Sequence, residues 1–350
     1  MFMNFELDKV RISDDYFSHR QELVKTYITE FDIDRLMHTF RINAGIESKT
    51  EPLGGWEAED CGLRGHFTGH FLSACSKFAY GDQDEYLKNK ANKIVDIMES
   101  CAKPNGYLSA FQEEQLDILE VEEDRNIWAP YYTLHKILQG LLDCYSYLNN
   151  QKALQLSINL GSYIMNRFQK LSYWKIDGIL RCAKLNPANE FGGIGDSLYL
   201  LYEITHDDNM LRLAKLFDRD YFIGKLAEGK DILDNLHANT HLPMVISAMH
   251  RYNITGNPKY KNAVVNFYNY LMGRTFVNGN NSSKAAAFIK GGVSEKSEHW
   301  GMFGNLSDAL TGGESESCCA HNTEKIECQM FQWFEKVDVT GKYFWTNFGK

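Results

Sequence analysis

The sequence lacks the features that would direct the protein to a membrane or a nucleic acid. No apolar stretch approaches the roughly 18 residues that a membrane-spanning helix needs, and no run of basic residues occurs. The 37 Lys and Arg residues are outnumbered by 46 Asp and Glu residues, which gives a formal net charge of −9. An acidic chain without a basic cluster is a poor partner for nucleic acids and anionic membranes, so we expect neither.

A disulfide framework and a secretion signal are also missing. The eight cysteines are scattered singly except for Cys318 and Cys319, and residues adjacent in sequence rarely form a disulfide with each other. The first residues, Met1–Glu6, do not have the basic and then apolar pattern of a signal sequence. These absences favour a reduced compartment, and we expect a cytoplasmic protein.

Proline is scarce, with six residues in 350, which permits long helices. Apolar residues recur at helical spacing, and the pattern predicts a first helix over residues 15–41 followed by helical hairpins. The turn of each hairpin carries Gly, Asn or Asp, which tolerate the left-handed conformation at a helix end. Four hairpins are predicted. The first joins a helix that opens within 63–74 to a helix over 85–101, and the second joins 132–149 to 152–168. The third joins 195–205 to a helix that starts at 209, the fourth joins 240–255 to a helix that starts at 258, and a last helix runs from 321 to about 340.

Repeated helical hairpins build either an open solenoid or a closed toroid. The long loops 102–130, 171–192 and 275–318 would gather at one mouth of a toroid. We therefore predict an all-α fold, an (α/α)6 toroid or barrel, formed by residues 1–350 as a single domain. The pattern supplies about eleven of the twelve helices of six hairpins, the eleventh beginning at Tyr343, so we expect a domain truncated at its C-terminus.

Histidines mark the starts of four predicted inner helices: His66 with His70, His135, His241 and His321. Helix N-termini present N–H groups and a partial positive charge, and they bind polar or anionic groups. A ring of such helix ends would suit a polyhydroxylated ligand. For any one histidine, the alternative is that it caps or packs its own helix.

Aromatic residues cluster beside predicted helix starts, in Gly106–Phe111 and in Asn126–Tyr132. Rings with hydroxyl and amide neighbours suit the apolar face and the hydroxyl edge of a sugar. Burial in the core is the competing interpretation and is favoured for most of these residues.

Reactive side chains are concentrated in two stretches near the C-terminal end, Gly291–Trp300 and Glu314–Asn322. In the first stretch, Glu298 is a candidate general acid, because an apolar neighbour such as Trp300 raises the pKa of a carboxyl group towards the working pH. Glu295 competes for that role, and the sequence does not choose between them. A surface position for both acids is the alternative.

The second stretch contains a candidate zinc site. Glu316 and Cys318 lie two residues apart, and in a loop or strand-like segment that spacing points both side chains to one side. A carboxylate and a thiolate are suitable Zn²⁺ ligands, but two more are needed. Cys319, His321 or Cys328 would supply them only if the backbone turns suitably, and a buried structural cysteine is the common alternative.

Taken together, these motifs resemble glycoside hydrolase family 127, the β-L-arabinofuranosidase family. The resemblance runs in order through nearly the whole chain. The matching segments are Gly55–Glu57, Gly65–Ala74, Gly106–Leu108, His135, His237–Pro243, Gly291 and Gly292 with Ser297–His299, and Glu316–Cys319.

The resemblance implies an (α/α)6 barrel followed by β-sandwich domains, and a retaining hydrolase with a cysteine nucleophile held by zinc. Glu298 would be the general acid and then the base, and Glu316 and Cys318 two of the zinc ligands. The implied substrate is an arabinose-containing oligosaccharide or glycoconjugate, from which a non-reducing-end β-L-arabinofuranose is released. The residues expected to contact the sugar are Trp56, His66, His70, His135 and His241.

The chain departs from the family pattern in one respect. In the family, the nucleophilic cysteine and the last zinc ligand form a pair beyond the Glu-x-Cys segment, whereas no cysteine follows Cys328 here. We therefore expect the nucleophile to lie past Lys350, and the 350-residue chain to be inactive by itself. Cys319 is a poor substitute, because it adjoins a matched zinc ligand.

Two other functions compete with this interpretation. One is a toroid glycosidase or polysaccharide lyase that uses carboxylates and no metal, which metal analysis would distinguish. The other is a carbohydrate-binding helical scaffold without catalysis, in which the histidines and aromatic residues only hold the ligand.

Overall fold

A computed structural model describes residues 5–121, 127–181, 190–277, 279–282, 298–309 and 317–334. Within these ranges the regular structure is helical, apart from one isolated antiparallel bridge between His237 and His299. None of the helices in the described ranges combines the length and apolarity needed to cross a membrane. The chain divides into two compact units, which we call the N-terminal unit (Asn4–Lys175 and Leu200–Leu213) and the C-terminal unit (Met1–Met3, Ile176–Tyr199 and Ala214–Lys350).

The N-terminal unit is built from helical hairpins around an apolar core that includes Leu72, Leu134 and Leu138, all 0% exposed. Short 3-10 turns lie at Leu7–Lys9 and Gly55–Glu57. Its helices are α1 (Asp15–Glu30), α2 (Ile33–Leu36), α3 (His38–Asn43), α4 (His66–Asp82), α5 (Glu85–Cys101), α6 (Glu114–Val121), α7 (Pro130–Leu148) and α8 (Gln151–Phe168).

The C-terminal unit has its own core, which includes Leu242, Val264 and Phe267. A π-helical turn at Asp220–Gly224 precedes α12. Helices α9 (Tyr173–Ile179), α10 (Ile194–Thr205) and α11 (Asp208–Leu216) contain residues of both units; those of the C-terminal unit alone are α12 (Lys225–Ala227), α13 (Ala238–Thr255), α14 (Pro258–Met272), α15 (Leu306–Ala309) and α16 (Ser317–Phe334).

The predicted hairpins are present, and each of their turns has the same two parts. A residue in the left-handed conformation ends the first helix, at Gln83, Asn149, His206 and Gly256. The next residue is Asp or Asn, and its side chain accepts a hydrogen bond from a backbone N–H of the second helix. An Asp or Asn at this position caps a helix because it satisfies one of the first N–H groups, which have no partner within the helix. The repeat therefore lies in the turns as well as in the helices.

Several predicted boundaries were wrong. The helix predicted over 15–41 ends at Glu30, because Phe31 is extended and the Asp32 side chain accepts hydrogen bonds from Asp34 N and Arg35 N to cap α2. Two segments predicted as loops contain the short helices α6 and α9. Helix α16 begins at Ser317, four residues before the predicted start. The helix predicted from Tyr343 lies outside the described residues.

Candidate active site

Helices α4 and α7 of the N-terminal unit are in backbone contact at Gly69 of α4 and Gly140 of α7. A methyl group on Gly69 would overlap the Lys136 carbonyl group, and one on Gly140 would lie 2.5 Å from the Gly69 carbonyl oxygen. The two helix backbones can approach this closely because Gly69 and Gly140 have no side chains. The contact sets the first turns of the two helices side by side, so that the rings of His66 and Tyr132 lie 6.0 Å apart.

These first turns and the preceding loops form what we call the histidine–aromatic cluster: Trp56, His66, His70, Trp128 and Tyr132. The Trp56 ring lies 6.2 Å from His66 and 6.0 Å from Trp128, and His66 lies 6.1 Å from His70. Trp56 and Trp128 are 59% and 43% exposed, whereas His66 is buried beneath them. The cluster thus offers accessible aromatic surface next to imidazole groups. His135, also predicted to contact sugar, is a buried residue of α7.

Glu57 organises this cluster, a role that the sequence did not suggest. Its buried carboxylate accepts hydrogen bonds from the backbone N–H groups of Gly65 (2.6 Å) and Phe67 (2.9 Å), which begin α4. His66 Nδ1 lies 2.7 Å from Glu57 Oε1 and 2.8 Å from the Leu63 carbonyl oxygen. Since both neighbours are acceptors, Nδ1 carries a proton. A carboxylate at a helix N-terminus is favoured by the helix dipole.

In the C-terminal unit, Glu298 is held by His237. The two side chains meet at 2.9 Å, between His237 Nε2 and Glu298 Oε2, and are 14% and 27% exposed. His237 is also the N-cap of α13, since its Nδ1 accepts the backbone N–H of Thr240 at 3.2 Å. The Thr240 hydroxyl lies 2.9 Å from the same Nδ1 and 3.0 Å from Glu190 Oε2. A row of four polar side chains therefore leads from Glu298 to Glu190.

The backbone fixes Glu298 in an unusual conformation. Its φ is +61°, in the left-handed region that costs a residue with a side chain about 1–3 kcal/mol. The Glu298 carbonyl accepts the Ala238 N–H at 2.9 Å, and Trp300 exchanges two backbone hydrogen bonds with Leu236 and Asn235. This short ladder runs beside the start of α13 and opposes relaxation of Glu298. Its competitor Glu295 lies outside the described residues.

A buried polar network joins the Glu298 segment to helix α16. The indole N–H of Trp300, a fully buried residue, donates to Asn281 Oδ1 at 2.9 Å, and Asn281 Nδ2 donates to Thr323 Oγ1 at 3.0 Å. The Ser282 hydroxyl donates to Cys319 Sγ at 3.1 Å. Asn281 and Ser282 attracted no attention in the sequence, because a short polar run in a predicted loop has no distinctive pattern.

The predicted zinc ligands are only partly within the described residues. Cys318 is half-buried in the first turn of α16, whereas Glu316 lies outside them. Cys318 is helical, so the condition of a loop or strand-like segment, under which the spacing would point Glu316 and Cys318 to one side, does not hold at Cys318. The neighbouring Cys319 is turned into the core towards Ser282. Across the described ranges, no three His, Cys, Asp or Glu side chains are grouped to hold a metal ion. Of Glu316 and Cys318, the two residues predicted as ligands, these ranges contain only Cys318.

His241 lies in the core of the C-terminal unit. It is 0% exposed, its Nδ1 donates to the His237 carbonyl at 2.8 Å, and its Nε2 accepts from the Tyr221 hydroxyl at 3.1 Å. Burial lowers the pKa of His241 to about 3, with the neighbouring His237 and His299 contributing. Both nitrogens are thus used inside the protein, and Tyr221 is the more accessible of the two residues.

The burial of His241 predicts how the stability of the protein changes at acidic pH. Below about pH 6.5 the unfolded chain protonates this histidine, whereas the folded chain does so only near pH 3. The free energy of unfolding should therefore fall between those pH values by a few kcal/mol on account of His241. We expect His241→Asn to be less stable than wild type at pH 7 but to lose less stability down to pH 4, as measured by urea unfolding. Parallel pH curves for the two proteins would contradict this.

Comparison with known proteins identifies the family. The model of the β-L-arabinofuranosidase GH127 catalytic domain matches residues 9–346. The chain belongs to this family. Its membership agrees with the resemblance seen in the sequence.

Solved structures show the fold. A GH127 β-L-arabinofuranosidase from Geobacillus stearothermophilus T6 is similar with a TM-score of 0.70 and 16% identity, over 97% of this chain and 55% of that one. A second GH127 β-arabinofuranosidase gives a TM-score of 0.62 and 15% identity, over 97% and 53% of the two chains. No curated protein sequence matches. The predicted all-α fold class, the toroid of GH127 catalytic domains, is confirmed. The chain spans about half the length of these two relatives.

Proposed function

We propose that this GH127 chain carries the acid/base part of a retaining, zinc-dependent exo-glycosidase that releases β-L-arabinofuranose from the non-reducing end of arabinose-containing glycans. The observation that carries the proposal is the Glu298–His237 pair at the start of α13. The family match extends through both compact units, which supports their assignment to one catalytic domain.

Glu298 is the proposed general acid and base. It protonates the departing glycosidic oxygen in the first step and accepts a proton from water in the second. Oε2 of Glu298 is hydrogen-bonded to His237, so we assign proton transfer with the substrate to Oε1 of Glu298. Partial exposure of the carboxylate allows a substrate to reach it, and its constrained backbone limits the positions of the side chain.

The proposed nucleophile is a cysteine outside the described residues. Burial raises the pKa of Cys75 to about 12 and that of Cys144 to about 11, which keeps these thiols protonated at neutral pH. Cys101 is buried too, with its pKa raised for the same reason. We propose that Glu316 and Cys318 hold Zn²⁺ together with ligands beyond the described ranges. When bound, the metal would keep a thiol ionised.

An activity and metal assay tests this proposal. The intact protein should cleave a chromogenic β-L-arabinofuranoside and contain about one zinc per chain by elemental analysis. Cys318→Ala should lose both the metal and the turnover. Full turnover without any metal would contradict the zinc assignment and favour a carboxylate-only glycosidase. Sugar binding without turnover in the zinc-loaded protein would favour a non-catalytic binding protein.

The histidine–aromatic cluster is the proposed sugar contact of the N-terminal unit. Its exposed tryptophan rings offer flat apolar surface to a sugar face, and the imidazoles of His66 and His70 lie within reach of hydroxyl groups. His135 is a proposed ligand of a sugar hydroxyl. His241 is proposed to act on the sugar only indirectly, through the Tyr221 hydroxyl that it binds.

Trp56 provides a test of this contact. We expect Trp56→Ala to raise KM for the arabinofuranoside about tenfold with a smaller change in kcat, because stacking on the ring contributes roughly 1–1.5 kcal/mol. Trp174→Ala is the matched control, since Trp174 is another exposed tryptophan of the same unit, at 79%, and its described ring neighbour is Tyr173. Equal effects of the two substitutions would show that the cluster has no special role.

A further inference from the structure

Tyr221 and His241 form a hydrogen-bonded pair whose direction is fixed by the groups around it. His241 Nδ1 lies 2.8 Å from the His237 carbonyl oxygen, which can only accept, so Nδ1 carries a proton. Because burial lowers the pKa of His241 to about 3, the ring is neutral at pH 7 and has no second proton. Its Nε2 therefore accepts, and the Tyr221 hydroxyl, 3.1 Å away, donates to it.

This direction makes the Tyr221 oxygen an acceptor towards any ligand. A tyrosine hydroxyl has one hydrogen, and here that hydrogen lies between Oη and His241 Nε2. The sulfur of Met244, 3.9 Å from the same oxygen, is a weak acceptor and does not compete with the imidazole nitrogen. The lone pairs of the Tyr221 oxygen bind a donor such as a sugar hydroxyl, whereas an ether oxygen or a carboxylate offers them no hydrogen.

Tyr221 is the member of the pair that a ligand can reach. It is only partly buried, whereas His241 is 0% exposed. The Arg181 guanidinium lies over the Tyr221 ring, 5.3 Å from its centroid, and the residue belongs to the π-helical turn Asp220–Gly224. Turns of this kind are rare and frequently lie at functional sites. The ring is thus held at its face by a cation and at its hydroxyl by His241.

His237 connects this pair to the proposed acid/base. Its carbonyl oxygen accepts from His241, and its Nε2 lies 2.9 Å from Glu298 Oε2. We propose that Tyr221 is a specificity-determining residue, whose oxygen accepts a hydrogen bond from one hydroxyl group of the terminal sugar. This inference rests on the proposed function. It restricts the substrate class to terminal sugars in which that hydroxyl is free, because an acyl, methyl or glycosyl substituent replaces its hydrogen.

Removal of the Tyr221 hydroxyl tests the contact. In the intact, zinc-loaded protein, we expect Tyr221→Phe to lower kcat/KM for a chromogenic β-L-arabinofuranoside about tenfold, the contribution of one neutral hydrogen bond. Three further substrates, each lacking one of the sugar hydroxyls, identify the group that Tyr221 contacts. For one of them the ratio of wild-type to variant kcat/KM should fall to about one, and for the other two it should stay at about ten.

Fluorine distinguishes an acceptor from a donor at Tyr221. A deoxyfluoro sugar accepts a hydrogen bond weakly but cannot donate one. Because Tyr221 accepts, the substrate with fluorine at the contacted position should behave as the deoxy sugar does, with a ratio of about one. The effect of fluorine on the chemical step is common to both proteins, so it cancels in the ratio. A ratio of about one for the deoxy sugar and clearly above one for the deoxyfluoro sugar would show a donor and contradict the proposal.

Tyr270→Phe is the matched control variant. The Tyr270 hydroxyl lies in the same unit and donates to the Gly229 carbonyl at 2.6 Å, so its removal deletes a hydrogen bond within the protein. The ratio for this variant should stay near one for every substrate. Should Tyr221→Phe fail to fold, adding His241→Leu removes the acceptor that phenylalanine leaves unpaired. That double variant must give the ratios expected for Tyr221→Phe, and other ratios would overturn the proposal.

The remaining outcomes separate this inference from the proposed function. An unchanged kcat/KM in Tyr221→Phe, or ratios of about ten for all three deoxy sugars, would overturn the role of Tyr221 while leaving Glu298 as the acid. Absence of turnover in the wild-type protein would instead overturn the proposed function. In that case the same ratios, taken from dissociation constants measured by calorimetry, decide whether Tyr221 accepts from a sugar hydroxyl.

Discussion

Glu298→Gln in the intact protein should lower kcat/KM for an alkyl β-L-arabinofuranoside by about 10²–10⁴-fold, the usual contribution of a positioned general acid. Glutamine keeps the size of the side chain and still accepts the His237 N–H through its amide oxygen. The backbone contacts of Glu298 do not involve its carboxylate, so the variant should fold with the wild-type melting temperature. A stable but slow enzyme is the expected result.

The leaving group provides the internal control for that loss. A nitrophenyl leaving group needs little protonation, so Glu298→Gln should lose much less activity in the first step on such a substrate than on an alkyl glycoside. Glu295→Gln is the matched control variant and should retain near wild-type rates on both substrates. A large, leaving-group-dependent loss in Glu295→Gln with none in Glu298→Gln would assign the acid to Glu295 instead.

The largest stability effect is expected at Gly69. Alanine is preferred to glycine inside a helix by about 1 kcal/mol, which by itself would stabilise α4. The added methyl group, however, would overlap the Lys136 carbonyl of α7, and rigid backbone has no flexible side-chain end that can move aside. Separating the two helices should cost about 3 kcal/mol or more. This cost is larger than the gain from the higher helix propensity of alanine. We expect Gly69→Ala to lower the free energy of unfolding sharply and to weaken the sugar binding proposed for the histidine–aromatic cluster.

Gly81 offers a control on the same helix. A methyl group there would meet Leu7 no closer than 3.8 Å, which is ordinary contact. Gly81→Ala should therefore leave stability unchanged or raise it slightly, by up to about 1 kcal/mol. Chemical denaturation of both variants measures the difference. Equal stabilities would show that the α4–α7 contact relaxes without cost.

Much of the helical pattern could be read from the sequence because its signals are local. Helix α5 was predicted over 85–101 and runs over Glu85–Cys101. Asp84 and Asn150 cap helices through bonds that span only two or three residues, and such bonds leave a signature in sequence. Asp32 carries the same signature, yet apolar spacing continued past it and produced the wrong prediction of one helix over 15–41.

The candidate site could be predicted only in part. Glu298 and the histidines at helix starts belong to segments with distinctive residues, and the family resemblance drew attention to them. Glu57, Glu190 and Asn281 carry no such pattern, since each acts on a partner that is distant in sequence or buried by the fold. His241 was noticed as a helix-start histidine, but its complete burial depends on residues such as Phe222 and Trp300 packing around it.

The sequence by itself determined the all-α class, the hairpin repeat and the family, because periodicity, capping residues and ordered motifs are properties of neighbouring residues. Only the tertiary structure decided which glycine brings two helices into contact, which histidine is enclosed, and which histidine holds Glu298. Those properties arise from distances between segments far apart in the chain. The stretch Gly291–Trp300 illustrates this difference between sequence and structure. Its sequence indicated Glu298 as the candidate acid, whereas only the structure shows that His237, 61 residues earlier at the start of α13, holds Glu298.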